Sequence, residues 1–278
     1  MDESSVKESR VILRQIQDQL LAAQTLAGVT QESAGMVDVV YHPTNPLPHL
    51  NYVLPRRNTA WVPTGTIEQG LLRLRELDRQ AVFQYIEGLF PPQFAETLKK
   101  ISLEPESNRP VFAFKRGGIG GAPDALPTAQ PGAGLRIRRV GARRGAQVWR
   151  LVQTDGGPIP TDNDVRSSYD LVAYRQGVPL AVLRVKIHPQ TEVAQLVALA
   201  IRDDDDTLVR TLLAAGARSA LDDGGALVFA TPESPVVAAA LAALHFVEIG
   251  RLVRYTLARS TSEERPDGRM AQSLLAGR

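Results

Sequence analysis

Residues 197–216 read VALAIRDDDDTLVRTLLAAG, an apolar run, four successive aspartates and a second apolar pattern. The run from Val193 to Ile201 is apolar on both faces, as a strand buried inside a sheet would be. Leu208, Leu212, Ala215 and Ala220 then fall on one face of a helix. The segment is therefore a strand, a turn and a helix. Free backbone N–H groups and the positive end of the dipole make a helix start a natural anion site. Here Asp203, Asp204, Asp205 and Asp206 already occupy it, and Asp206 is the expected N-cap.

The chain has 278 residues, enough for two domains of ordinary size. Its apolar fraction of 44% with 22% charged residues is that of a globular protein, and no apolar run approaches the ~18 residues of a membrane span. The opening MDESSVKESRVILRQ lacks the apolar core of a secretory signal, so a cytoplasmic location is expected. There are no cysteines, which excludes disulfides, thiolate metal sites and a thiol nucleophile. The net charge of +2 is small for a nucleic-acid binder. Arg136, Arg138, Arg139, Arg143, Arg144 and Arg150 do cluster, but without interleaved aromatics they read as a solvated edge strand and its loop.

Apolar spacing predicts a helix over residues 6–27, strands around Val37–Tyr41 and Asn51–Leu54, and a helix at TIEQGLLRLRELDRQ capped by Thr64 or Thr66. A strand at AVFQYIEG, a helix at PPQFAETLKK and a strand at PVFAFK complete the first half. The stretch RGGIGGAPDALPTAQPGAG is too poor in large apolar residues to build a core and reads as a linker. Its GGIGG is followed by prolines and no helix, so it lacks the context of a phosphate loop. The expected organisation is a domain over 1–116, a linker over 117–133, a domain over 134–260 and a polar tail over 261–278. In the second half LRIRRV, SYDLVAYRQG, VPLAVLRVKIHP and VAQLVALAI are strands. The acidic turn and its helix follow, then ALVFA, a helix at SPVVAAALAALHF and a last strand at EIGRLVRYTLA.

The segment from Ala81 to Lys115 and that from Ala226 to Ala258 share one order: strand, proline-bearing helix start, helix, short turn, strand. A duplicated unit is the simplest account. With the hairpin DLVAYRQGVPLAVLRVKI, the strand-turn-helix VALAIRDDDDTLVRTLLAAG and the ending LAALHFVEIGRLVRYTL, the second half resembles the GNAT superfamily of acyl-CoA-dependent N-acetyltransferases. Leu244, His245, Phe246 and Glu248 stand where that family's closing signature falls. The first half resembles the shortened GNAT-like domain of tandem members, through HPTNPLPHLNYVLP and LFPPQFAETLKKISLEP. The implied fold is α/β (α+β): two GNAT-like domains, each a mixed, mostly antiparallel sheet flanked by helices.

The resemblance implies an acetyl-CoA or other acyl-CoA cofactor, acyl transfer to an amine, and no metal. It assigns the backbone of Leu199, Ala200 and Ile201 to the pantetheine arm, and the turn at Thr207, Leu208 and Val209 to the pyrophosphate. Glu192 takes the place of a general base. Two departures stand against it. The family's glycines would fall near Thr207 and Val209 and its arginine or glutamine near Asp204, yet no glycine lies between Gly177 and Gly216. The place of the tyrosine that protonates the departing thiolate is held by Leu241, and by Leu98 in the first half, neither of which can donate a proton. The alternative expectation is a catalytically inactive GNAT-fold protein that binds a small ligand or a protein partner. Tyr255 reads as packing, and Asn51 and Tyr52 as candidate cleft residues. The histidines at 42, 49, 188 and 245 have no metal-ligand spacing. Partners expected are a small-molecule amine or a protein, with a homodimer left open, and neither nucleic acid nor membrane.

Overall fold

The computed structural model describes residues 3–127, 134–153, 168–188, 191–202 and 205–257. The first half comprises α1 (Glu3–Leu26), β1 (Thr30–Ala34), β2 (Val37–Tyr41), β3 (Tyr52–Pro55), α2 (Thr64–Glu76), β4 (Val82–Ile86), α3 (Phe94–Lys100) and β5 (Leu103–Lys115). The second half comprises β6 (Leu135–Gly141), α4 (Ala142–Val152), β7 (Ser168–Arg175), β8 (Val178–His188), β9 (Val193–Ile201), α5 (Asp206–Asp222), β10 (Leu227–Ala230), α6 (Pro235–Ala243) and β11 (Val247–Leu257). Short 3-10 turns lie at Pro48–Leu50 and Glu87–Leu89.

The chain is a mixed α/β protein, and its halves repeat one order: two hairpin-linked antiparallel steps, a helix, a strand parallel to the third, a helix and a long last strand. The two sets of strands join into one sheet, in the order β1-β2-β3-β4-β11-β5-β10-β9-β8-β7-β6. The long last strands are exchanged: β11 lies between β4 and β5, while β5 lies between β11 and β10. Each long strand thereby finds ladder partners on both sides, which a strand at a sheet edge lacks.

One face carries α1 and α4 and the other α2, α3, α5 and α6. On β5 Val111 and Ala113 turn to α1, and Phe112 and Phe114 to the α5–α6 side. This is the period-two alternation of a pleated strand. Ile12, Leu13 and Ile16 of α1 pack on the centre of the sheet, where Gly88 and Gly250 leave room for Leu13. Ile119, within the glycine-rich stretch, is buried in the same cluster, and Leu126 packs against the α5 cluster.

Several local expectations differ from the fold. The arginine-rich segment is an edge strand followed by α4, a helix that the sequence hid because Trp149 and Val152 are the buried large apolar residues among those described in it. Polar β1 and the first half of β5 (LEPESNR) are strands by pairing alone, without apolar alternation. No threonine caps α2: Pro63 is its N-cap residue. The cap of α5 is Asp205 rather than Asp206, whose backbone already lies in the helix.

Beneath α4, Asp170 on β7 and Arg184 on β8 face one another in register, with exposures of 0% and 2%. Arg184 donates from Nε to Oδ1 at 2.8 Å and from Nη2 to Oδ2 at 2.9 Å, and Trp149 Nε1 donates to Oδ2 at 3.2 Å. Such a pair is sustained only while every partner stays in place. Gly145 makes this possible, because a Cβ there would overlap the Asp170 carboxylate. Gly145→Ala should displace that carboxylate and cost about 3–5 kcal/mol. The check is a urea midpoint, and a midpoint equal to the parent's would refute the account.

Candidate functional site

The parallel strands β9 and β10 pair only from Val193–Leu227 to Leu196–Ala230. β9 carries a bulge at Val197, since Val185 pairs with Leu196 and Arg184 with Ala198. Beyond it, β9 is bonded to β8 on one side and, among the described residues, no strand pairs with the other edge of 197–201, where β10 has turned away. An extended ligand carrying amides can pair with such an edge as an added strand would. Leu199, Ala200 and Ile201 lie on this edge, with Ala200 buried and the other two half-buried.

At the end of β9 the chain enters α5. Asp203 and Asp204 lie outside the described residues. The Asp205 Oδ1 accepts from the backbone N–H of both Thr207 and Leu208, each at 3.0 Å. Leu208 and Val209 turn their side chains into the core, and Thr207 is exposed. The backbone donors that an anion would need are thus held by this chain's own carboxylate.

Alongside, α5 and α6 enclose a cleft of about 350 Å³ lined by Asp206, Arg210, Pro235, Val236, Ala239, Ala240 and Ala243. The helix α6 carries no charge, yet Val236, Ala239, Ala242 and Ala243 are exposed or half-buried. An uncharged helix presenting small apolar residues to a cleft is suited to a slender, largely apolar ligand. In the first half the head of α3 is packed with aromatic side chains. Trp61, just before α2, meets Phe94 at the head of α3 edge to face at 5.8 Å. Phe94 also packs against Phe90 at 4.7 Å and Tyr85 at 5.1 Å.

The remaining candidates are dispersed. Glu192 is exposed, in the left-handed region at φ 52°, at the far end of β9. Seven residues separate it from Leu199, ~23 Å along a strand. Its carbonyl accepts from the N–H of Ala226 at 2.8 Å, a strand-start role. Leu241 and Leu98 are both wholly buried. Tyr255 is buried and stacks on Tyr85 at 6.1 Å, as packing requires. Asn51 is wholly buried: it accepts from His42 N–H at 3.0 Å and donates to the carbonyls of Asn45 and Leu47, stapling the proline-rich turn. Tyr52 is buried too, and burial pushes its hydroxyl far above the ordinary range. Burial likewise raises Tyr169 to about 12, while Arg139 of the arginine cluster stacks on its ring at 3.6 Å and pairs with Asp223. His42 accepts from Thr44 and Asn45 N–H, and His245 lies within 3.2 Å of the Ala125 carbonyl. Among the described residues no cluster suited to a metal ion is found, and no helix is long and apolar enough to cross a membrane.

Sequence reasoning missed the cap role of Asp205, because a run of four aspartates does not say which of them is the last residue before the helix.

No family model matches the sequence, and no curated protein is a significant match. Solved structures do resemble it. A GCN5-related N-acetyltransferase from Kribbella flavida has a TM-score of 0.72 at 17% identity, over 90% of this chain and 96% of its own. A functionally unknown conserved protein from Staphylococcus epidermidis has a TM-score of 0.58 at 10% identity, over 83% and 94%. A tandem GNAT protein from the clavulanic acid biosynthesis pathway has a TM-score of 0.56 at 13% identity, over 92% and 95%. At these identities the likeness establishes the fold, which is that of the GCN5-related N-acetyltransferases.

If Asp205 is the cap that closes α5, Asp205→Ala should cost about 1 kcal/mol of stability and Asp205→Ser a few tenths. Denaturant titration of the two variants checks this, and equal losses would refute the cap.

Proposed function

We propose that this GNAT-fold chain binds the acyl-pantetheine arm of an acyl-CoA-type donor in its second half, and that its hold on the diphosphate is poor. The observation that carries the reading is the combination of a β9 edge that no strand of the described residues covers with the alanine-lined cleft beside α5. The pantetheine portion fits these residues: amide groups find backbone partners along residues 197–201, and the apolar stem finds α6. The diphosphate does not. Asp205 holds the N–H groups of Thr207 and Leu208, and Asp206 lies in the cleft wall with only Arg210 to offset it. Each unit-charge contact at ~4 Å costs about 1 kcal/mol even at the dielectric of water, roughly fivefold in affinity.

Acyl transfer to an amine is the reaction this fold implies, but residues that do not fit the cofactor's diphosphate support no catalytic step through it. A second reading, a GNAT-fold protein that binds a small ligand or protein partner without catalysis, is favoured by the wholly buried Leu241 at the place of the proton donor. Calorimetry with pantetheine, CoA and acetyl-CoA separates the two. The proposal expects all three to bind with similar affinity, and Ala239→Trp to abolish binding by filling the cleft. The pair Asp205→Ser with Asp206→Ser should tighten CoA by about fivefold per charge and leave pantetheine unchanged. No heat from any of the three would overturn the proposal in favour of the second reading. CoA binding far tighter than pantetheine would show that the diphosphate is gripped after all.

A further inference from the structure

The last residue of β10, Ala230, pairs with Phe112 of β5. From Val111 down to Leu103, β5 has no strand on that side among the described residues and forms the wall opposite the free edge of β9. On the α1 face of this wall lie Ser107 and Arg109, two residues apart, with Arg254 of β11 directly opposite Ser107 in register. Residues so placed have Cβ atoms about 5 Å apart when opposite and about 7 Å when diagonal.

Three donors in this patch are unsatisfied. The Nε of Arg254, the Nε of Arg109 and the Oγ of Ser107 are buried and have no hydrogen-bond partner. Arg254 is only 7% exposed. Its Nη2 donates to the Pro48 carbonyl at 3.0 Å, and the exposed Glu106 carboxylate lies 3.5 Å from its Nε, an ion-pair contact without a hydrogen bond. Arg109 donates from Nη1 to Glu233 Oε1 at 2.9 Å, and that glutamate is largely in solvent. His49 lies within electrostatic reach of both arginines, and partial burial followed by those two charges holds its pKa below the ordinary value. It is neutral at pH 7 and adds no further positive charge. Burial and the Arg109 charge also push Arg254 down. Two guanidinium groups within range of each other, each with its Nε–H removed from water and without a hydrogen-bond acceptor, form an arrangement that an anion completes.

We propose that Arg254, Arg109 and Ser107 form a carboxylate-binding subsite on the α1 face of β5 and β11, beside the opening that β5 and the free edge of β9 border. Glu106 and Glu233 already balance the two arginines in formal charge, which favours a monoanion over a dianionic phosphate. A planar carboxylate has two oxygens for donors on two arginines, and the Ser107 hydroxyl supplies a third bond. Binding here requires no acyl donor. Taken together with the proposed acyl-pantetheine site, and resting on that reading, the subsite makes the acceptor an amine that carries a carboxylate.

The test is NMR of the arginine Nε–H signals in the full chain, assigned with Arg254→Lys and Arg109→Lys, with sodium acetate as probe at ionic strength fixed by chloride. Saturable shifts of both signals in the millimolar range are expected with acetate and none with acetamide. Each lysine variant should weaken acetate binding by about tenfold or more, as loss of a hydrogen bond to a charged group does. Arg109→Lys, at a partly exposed position, serves as the folded control should Arg254→Lys unfold. Absence of saturation with acetate, equal shifts with acetamide, or saturation only with inorganic phosphate would each overturn the proposal. None of these outcomes depends on the CoA calorimetry, so the two proposals fail separately.

Discussion

The antiparallel ladder between β5 and β11 holds the molecule together. It runs from Val247 opposite Ala113 to Leu257 opposite Leu103, and joins the last strand of the first half to the last strand of the second. Because β11 also pairs with β4, and β5 with β10, removing either strand would expose two unpaired edges at the centre of the sheet. Neither half is closed without the other's last strand. The cost is long-range pairing, which must wait for loop closure and slows folding. The gain is that the wall of one half's opening is built by a strand of the other.

The two copies of one topology differ in what their helices carry. In the first half, Phe90 and Phe94 pack with Tyr85 into the core, and the exposed Trp61 meets Phe94 edge to face. In the second, α6 presents alanines to a cleft beside α5. Large aromatic residues stabilise by the area they bury, and a ligand site forgoes some of that.

Charge is handled in three ways across the fold. Asp170 and Arg184 are sealed from water and satisfy each other, with Trp149 completing the bonds. Asp205 stands at a helix start and satisfies the backbone, so that the positive end of α5 has no vacancy. Arg254 and Arg109 are the opposite case: donors are placed beside an opening and left incomplete. A buried polar group without a partner is a cost in a structural role, and it is the ordinary state of a binding group awaiting its ligand.

The sequence by itself determined the α/β class, the duplicated order and the GNAT-like strand-turn-helix at 197–216, because apolar periodicity and proline-marked helix starts are local. It did not determine β1, α4 or the first half of β5, whose residues are polar and become strand or helix only through their neighbours. Nor did it place Arg254 beside Ser107 and Arg109. That relation arises from strand exchange between distant segments. A one-dimensional pattern records which face a residue prefers, but only register across the sheet decides which other residue it meets.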